Sequence, residues 1–218
     1  MGQDAASERH HCRNTNVSGH CKKRLCYYGQ TNRQMKDLIK RNISGKKILV
    51  LFILTNIIYA IMLTITIPKV MNFSGGMKLL DMMPTGYNAE YVNSLLNTLG
   101  DKGRDAYLFN QLPVDMIYPF LFGVSYCLVL AYFLDKLGKI ESYLFYLCFL
   151  PLFSGLFDYV ENIGIITMLN SYPDNSIILT QTTNVFSILK SSFTTIYFII
   201  LIIFLVVFGM SKLFQKGK

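Results

Sequence analysis

The chain contains no tryptophan, and charged residues make up only 16% of its 218 positions. A soluble domain carries roughly 25% charged residues, so the shortfall argues against a large soluble core. Histidine is scarce as well: His10, His11 and His20 are the only ones, and all precede residue 21. The rest of the chain therefore lacks the commonest acid–base side chain. There is no Cys-x-x-Cys pair, P-loop, zinc-protease helix, nucleophile elbow or channel-filter sequence. Their absence leaves thiol-redox, nucleotide-hydrolysing, metalloprotease, serine-hydrolase and potassium-channel chemistry without a signature.

What is abundant is apolar. Hydrophobic residues make up 52% of the chain and cluster in four long runs, at residues 48–67, 116–134, 143–169 and 177–210. A helix rises about 1.5 Å per residue, so a hydrocarbon core of roughly 30 Å needs about 20 apolar residues. Each run meets that requirement. The fold expected is an all-α membrane protein, a four-transmembrane-helix up-down bundle whose first partner is the lipid bilayer. The first run is longer than the roughly 7–15 residues of a signal-peptide core, and no small-residue cleavage site follows it.

The net charge of +8 would suit nucleic acid if it formed a patch. Instead the basic residues flank the apolar runs, so no nucleic-acid partner is expected. Arg33, Lys36, Lys40, Arg41, Lys46 and Lys47 precede the first run. Lys136 and Lys139 lie between the second and third, and Lys212, Lys216 and Lys218 follow the fourth. These segments fall on one side of a four-span chain. By the excess of Lys and Arg on cytoplasmic loops, both termini are expected in the cytoplasm. Lys-, Ile-, Asn- and Phe-rich usage fits an AT-rich genome and points to a bacterial or archaeal plasma membrane.

Residues 1–34 are polar and lack a periodic apolar face, which predicts a disordered tail. Met35, followed by Lys36, Lys40 and Arg41, also has the features of a membrane-protein start. The tail holds His10, His11, Cys12, His20, Cys21 and Cys26. These are weak metal candidates, because a structural zinc site needs paired ligands that the spacing does not supply. The cysteines do not form a disulfide framework, since none lies in a segment assigned to the outside. Cys127 and Cys148 sit in apolar runs and read as packing residues.

The segment at 69–114 is too long for a plain connector. Tyr91, Val92, Leu95, Leu96 and Leu99 recur at helical spacing between Asn88, a candidate N-cap, and Gly100, a candidate stop. This predicts a short amphipathic helix in the first outer loop, over the outer end of the bundle. Arg104, within Asp101-Lys102-Gly103-Arg104-Asp105, is a candidate partner for an acid at the bundle mouth. Pro119 is expected in the first turn of the second span, and Pro151 to kink the third.

The most informative residues are charges inside apolar runs, which are costly in lipid and usually face a bundle interior or wet cavity. Asp158, Glu161 and Asn162 lie in the third run and Lys190 in the fourth. By rise alone, Asp158 stands about 25 Å above the cytoplasmic end, and Glu161 and Lys190 about 30 Å. Asp115 opens the second run, and Tyr118 follows one turn later. Ser154, Asp158, Glu161 and Ile165 share a helical stripe, as do Thr180, Thr183, Ser187, Lys190 and Thr194. Asn56 and Tyr59 share a face of the first run.

Asp115, Tyr118, Asp158, Glu161, Asn162, Lys190 and Arg104 are therefore the candidate site. One reading is an outward-facing pocket for a small polar or amphipathic ligand. A second is an ion-pair network that fixes helix register in a structural or assembly subunit. A third is a small membrane enzyme acting on a lipid-like substrate, with Asp158 and Glu161 as acid and base. Four spans without an internal repeat would need a homo-oligomer or a membrane-protein partner to form a transport path. No cofactor is implied.

Overall fold

The structure, a computed structural model, describes Gln34 and residues 36–216. The polar tail and the metal candidates His11, Cys12, His20, Cys21 and Cys26 lie outside the described residues. The described residues fall in two units, divided between Asn42 and Ile43. The first is helical over residues 36–42. The second holds the long helices, and no strand occurs among the described residues.

Four helices are long and apolar enough to cross a membrane: Gly45–Met71, Ala89–Lys136, Tyr143–Ser171 and Ile177–Leu213. This makes the chain an integral membrane protein. Helices suit lipid because every backbone N–H and C=O finds its partner within the segment. Helix α1 (Gly45–Met71) is interrupted by a π turn at Met62–Thr66. Helix α2 (Ala89–Ala106) begins at Asn88, whose Oδ1 accepts from the Tyr91 N–H at 2.8 Å. Gly100 breaks α2 with φ 58° and ψ −175°, a left-handed φ that glycine adopts without penalty. A second π turn, Tyr107–Gln111, leads into α3 (Leu112–Lys136). A 3₁₀ helix, Tyr143–Phe149, precedes α4 (Leu150–Ser171), and α5 spans Ile177–Lys216.

The two prolines exchange the roles expected of them. Pro119 lies inside α3, because the helix begins at Leu112, ahead of the apolar run, with Pro113 in its first turn. Pro151 sits in the first turn of α4 and kinks no helix interior, because the residues before it are 3₁₀. A missing N–H is harmless at a helix start and leaves an orphaned carbonyl inside one.

Helix α3 is central: α1, α4 and α5 all pack against it, and α4 packs extensively on α5. Small residues permit the close approaches. A Cβ on Gly155 would stand 2.7 Å from the Pro119 carbonyl oxygen, and one on Gly164 would meet Thr183 of α5. The main apolar cluster joins Val92, Leu95, Leu96 and Leu99 of α2 to Leu79, Leu80, Ile165 and Met168. Helices α1 and α5 have no comparable packing against each other, which leaves room between them.

Candidate functional site

That room is a cavity of about 620 Å³. Asp115, Tyr118, Phe122 and Tyr126 line it from α3, at successive steps of three and four that keep them on one helical face. Helix α4 contributes Ser154 and Asp158, and α5 contributes Lys190, Thr194 and Phe198. Helix α1 supplies Asn56, Tyr59 and Met62, and the segment after it adds Asp81, Met82 and Pro84.

Aromatic rings form one wall. Tyr59 stacks on Tyr118 with centroids 5.4 Å apart, and Phe122 lies 4.7 Å from Tyr126. The Tyr126 hydroxyl donates to Asn56 Oδ1 at 3.3 Å, which ties α3 to α1. The polar stripes of α4 and α5 meet where Ser154 Oγ donates to the Lys190 carbonyl at 3.1 Å and lies 2.6 Å from Thr194 Oγ1.

The charged groups converge from three helices. Lys190 Nζ donates to Asp158 Oδ1 at 3.1 Å and pairs with Glu161. Glu161 is fully buried, and neither of its oxygens has a partner with hydrogen-bond geometry apart from the ion pair to Lys190. It stands behind Lys190, whereas Asp158 and Lys190 both border the cavity. Asp115 is the exception in the group. The residue borders the cavity and is 4% exposed. No hydrogen bond or ion pair reaches its carboxylate from the described residues. The Asp115 backbone carbonyl, in contrast, accepts from Asn162 Nδ2 at 3.2 Å.

Arg104 stands apart from this layer. Its guanidinium pairs with Asp101, donates to the Leu96 carbonyl at 2.8 Å and lies 4.3 Å over the Tyr172 ring. An acid three residues earlier in the same helix is nearer than any acid of the bundle. Arg104 therefore spans the break at Gly100 and does not border the cavity.

One acid escapes sequence reasoning. Asp81 lies in a 3₁₀ turn, Leu80–Met82, and its carboxylate accepts from the Tyr107 hydroxyl at 2.6 Å and Gln111 Nε2 at 3.1 Å. Thr66 of the first π turn donates to Gln111 Oε1 of the second, so both π turns meet behind Asp81. Such bulges often mark functional sites. No local pattern flags Asp81, whose partners are 26 and 30 residues away.

The segment that bears Asp81 is held onto α5. Asn184 Oδ1 accepts from the Tyr87 N–H at 2.7 Å, and Ser187 Oγ donates to the Met83 carbonyl at 3.4 Å. Gly86 has φ 86°, and a Cβ there would stand 2.3 Å from Asn184 Oδ1. Tyr87 is buried with its hydroxyl unpartnered. Burial first, and then the nearby Glu161 carboxylate, push its phenol above its ordinary range, so it remains neutral.

This arrangement has the means to orient a polar group against carboxylates and to hold the remainder of a molecule on aromatic and aliphatic walls. Among the described residues, no group of three or more His, Cys, Asp or Glu side chains is arranged to hold a metal ion. Comparison with protein-family models, with curated proteins and with solved structures finds no match.

Proposed function

We propose that this chain is a multi-pass protein of the plasma membrane whose outward-facing pocket binds a small polar or amphipathic ligand. In this reading the four spans run up and down in turn, α2 is a loop helix over the outer end, and both termini are cytoplasmic. The basic residues before α1, between α3 and α4, and after α5 support that orientation. One observation carries the ligand: Asp115, a residue 4% exposed, borders the cavity, and no hydrogen bond or ion pair reaches its carboxylate from the described residues. A charge held in a largely buried setting without a partner is unfavourable in the empty protein, and a ligand that supplies the partner relieves part of that cost.

The test is a thermal-shift screen of small amphipathic compounds on the purified protein in nanodiscs, with Asp115→Asn alongside. A ligand at 100 times its dissociation constant stabilises by about 2.7 kcal/mol, which is readily detected. The expected result is a compound that raises the unfolding midpoint of the wild type and not of the variant. Equal shifts in both would reject the site.

A second reading, a small membrane enzyme acting on a lipid-like substrate, draws on one observation. Asp115 and Asp158 border the same cavity from α3 and α4, with Lys190 beside them. Glu161, enclosed behind Lys190, suits a register role better than an acid–base one. The enzyme reading requires that a bound compound be chemically altered, and that Asp115→Asn abolish the alteration while binding persists.

A further inference from the structure

We infer that the ligand of this pocket is an organic cation, a protonated or quaternary amine carrying an apolar body. This inference rests on the reading of the cavity as a ligand site and names the class of compound it takes.

The charge inventory is lopsided. Asp81, Asp115 and Asp158 border the cavity, and among the described residues that do so Lys190 is the only basic one. Lys190 is already engaged by Asp158 and by Glu161. Asp81 accepts only from neutral donors, the Tyr107 hydroxyl and the Gln111 amide, so its charge is solvated but not balanced. Among the described residues no hydrogen bond or ion pair reaches the Asp115 carboxylate, and the nearby Lys190 is held by two other acids. An anionic ligand would meet these carboxylates with its one available cation occupied. A neutral ligand would remove water from Asp115 and return no charge. A cation supplies what both acids lack, and a desolvated setting strengthens that pairing.

The walls make an independent case. Tyr118 lies one turn beyond Asp115 on the same face of α3, stacked against Tyr59, with Phe122 and Tyr126 in line beyond it. Aromatic faces attract ammonium groups, and aromatic cages are a common solution for quaternary amines. Met62, Leu63, Ile67 and Phe198 supply apolar surface for the rest of the molecule. A volume of about 620 Å³ suits a small organic molecule. A bare metal ion is a poorer fit, because among the described residues no three or more His, Cys, Asp or Glu side chains are grouped to hold one.

The experiment compares three probes with one skeleton and different charge: trimethyl(4-phenylbutyl)ammonium, 4-phenylbutan-1-ol and 4-phenylbutanoate. Each is titrated by calorimetry into the full chain in nanodiscs of zwitterionic lipid. The ammonium compound is expected to bind at least about tenfold more tightly than the alcohol, and the carboxylate not at all. Asp115→Asn, close in shape to the native side chain, is expected to remove that preference by weakening the ammonium compound to the affinity of the alcohol. If Asp115→Asn does not fold, Asp115→Glu retains the charge and is expected to retain the preference. Should the alcohol or the carboxylate bind as tightly as the ammonium compound, the cation inference falls and the pocket stands. Should none of the three bind, the inference falls as well, and the broader ligand screen decides the pocket separately.

Discussion

Asn162 Nδ2 donates to the backbone carbonyl of Asp115 at 3.2 Å. In an unbroken helix that carbonyl would accept from the N–H four residues later, but position 119 is a proline inside α3 and has no N–H. One side chain of α4 thus supplies the bond that α3 cannot make for itself, at a residue that borders the cavity. The pairing fixes the register of α3 on α4 where the site is assembled.

Removing Asn162 should therefore destabilise the fold through a bond that can be restored by another route. Hydrogen bonds between membrane helices average about 0.6 kcal/mol. Asn162→Ala is expected to exceed that and cost about 1–3 kcal/mol, because a buried carbonyl is left unmet. In a Pro119→Ala background, residue 119 regains its N–H and the same change should cost clearly less. Unfolding midpoints of the four proteins in one detergent measure the coupling. Equal penalties in both backgrounds would show that the Asn162 bond does not compensate for the proline.

Close approach of α4 to the same proline predicts a graded series of glycine substitutions. Gly155→Ala drives a Cβ to 2.7 Å from the Pro119 carbonyl oxygen, a backbone atom that has little room to yield. Overpacking of this kind costs about 1–3 kcal/mol. Gly123→Ala meets a flexible Leu152 methyl at 3.1 Å, and Gly209→Ala meets nothing within 4 Å. The order of destabilisation by thermal unfolding should be Gly155, then Gly123, then Gly209. A Gly155→Ala protein as stable as Gly209→Ala would mean that α3 and α4 are not in contact at this point.

Lys190 offers a test of the ion network apart from the pocket. Lys190→Met strands Asp158 and Glu161 in a buried setting, and breaking a buried pair on one side costs roughly 3–5 kcal/mol. Adding Asp158→Asn and Glu161→Gln removes the stranded charges and should recover most of the loss. Unfolding of the single and triple variants gives the answer directly. A triple variant no better than Lys190→Met would point to lost lysine packing instead of lost charge.

How much of this was legible in the chain follows from the cost of charge in lipid. Asp158, Glu161 and Lys190 announce themselves because an acid or base in an apolar run must have a partner, and helical spacing brings the stripe containing Ser154 and Asp158 to the stripe containing Lys190 and Thr194. The Asn88 cap was readable too, since its bond closes over three residues. Helix starts were not, because Asn110, Gln111 and Asp115 hide the beginning of α3 from any reading of apolar runs; hence the exchanged roles of Pro119 and Pro151. No local pattern marks Asp81, and only the tertiary fold brings Tyr107 and Gln111 to it. Arg104 misled for the opposite reason: its nearest acid, Asp101, was local.

The proposed orientation makes a prediction that does not depend on any ligand. Lys139, in the turn after α3, and Asp174, in the turn after α4, are both exposed and lie at opposite ends of α4. With the five native cysteines replaced by serine, Lys139→Cys and Asp174→Cys each provide one reporter thiol. A membrane-impermeant maleimide applied to intact cells should label the protein carrying Asp174→Cys and leave Lys139→Cys unmodified until the cells are opened. The reverse pattern would invert the bundle and turn the end of the cavity bearing Asp81 towards the cytoplasm. Labelling of both in intact cells would mean that α4 does not cross the membrane, and a bundle with a polar cavity between α1 and α5 would then have to be rebuilt on different spans.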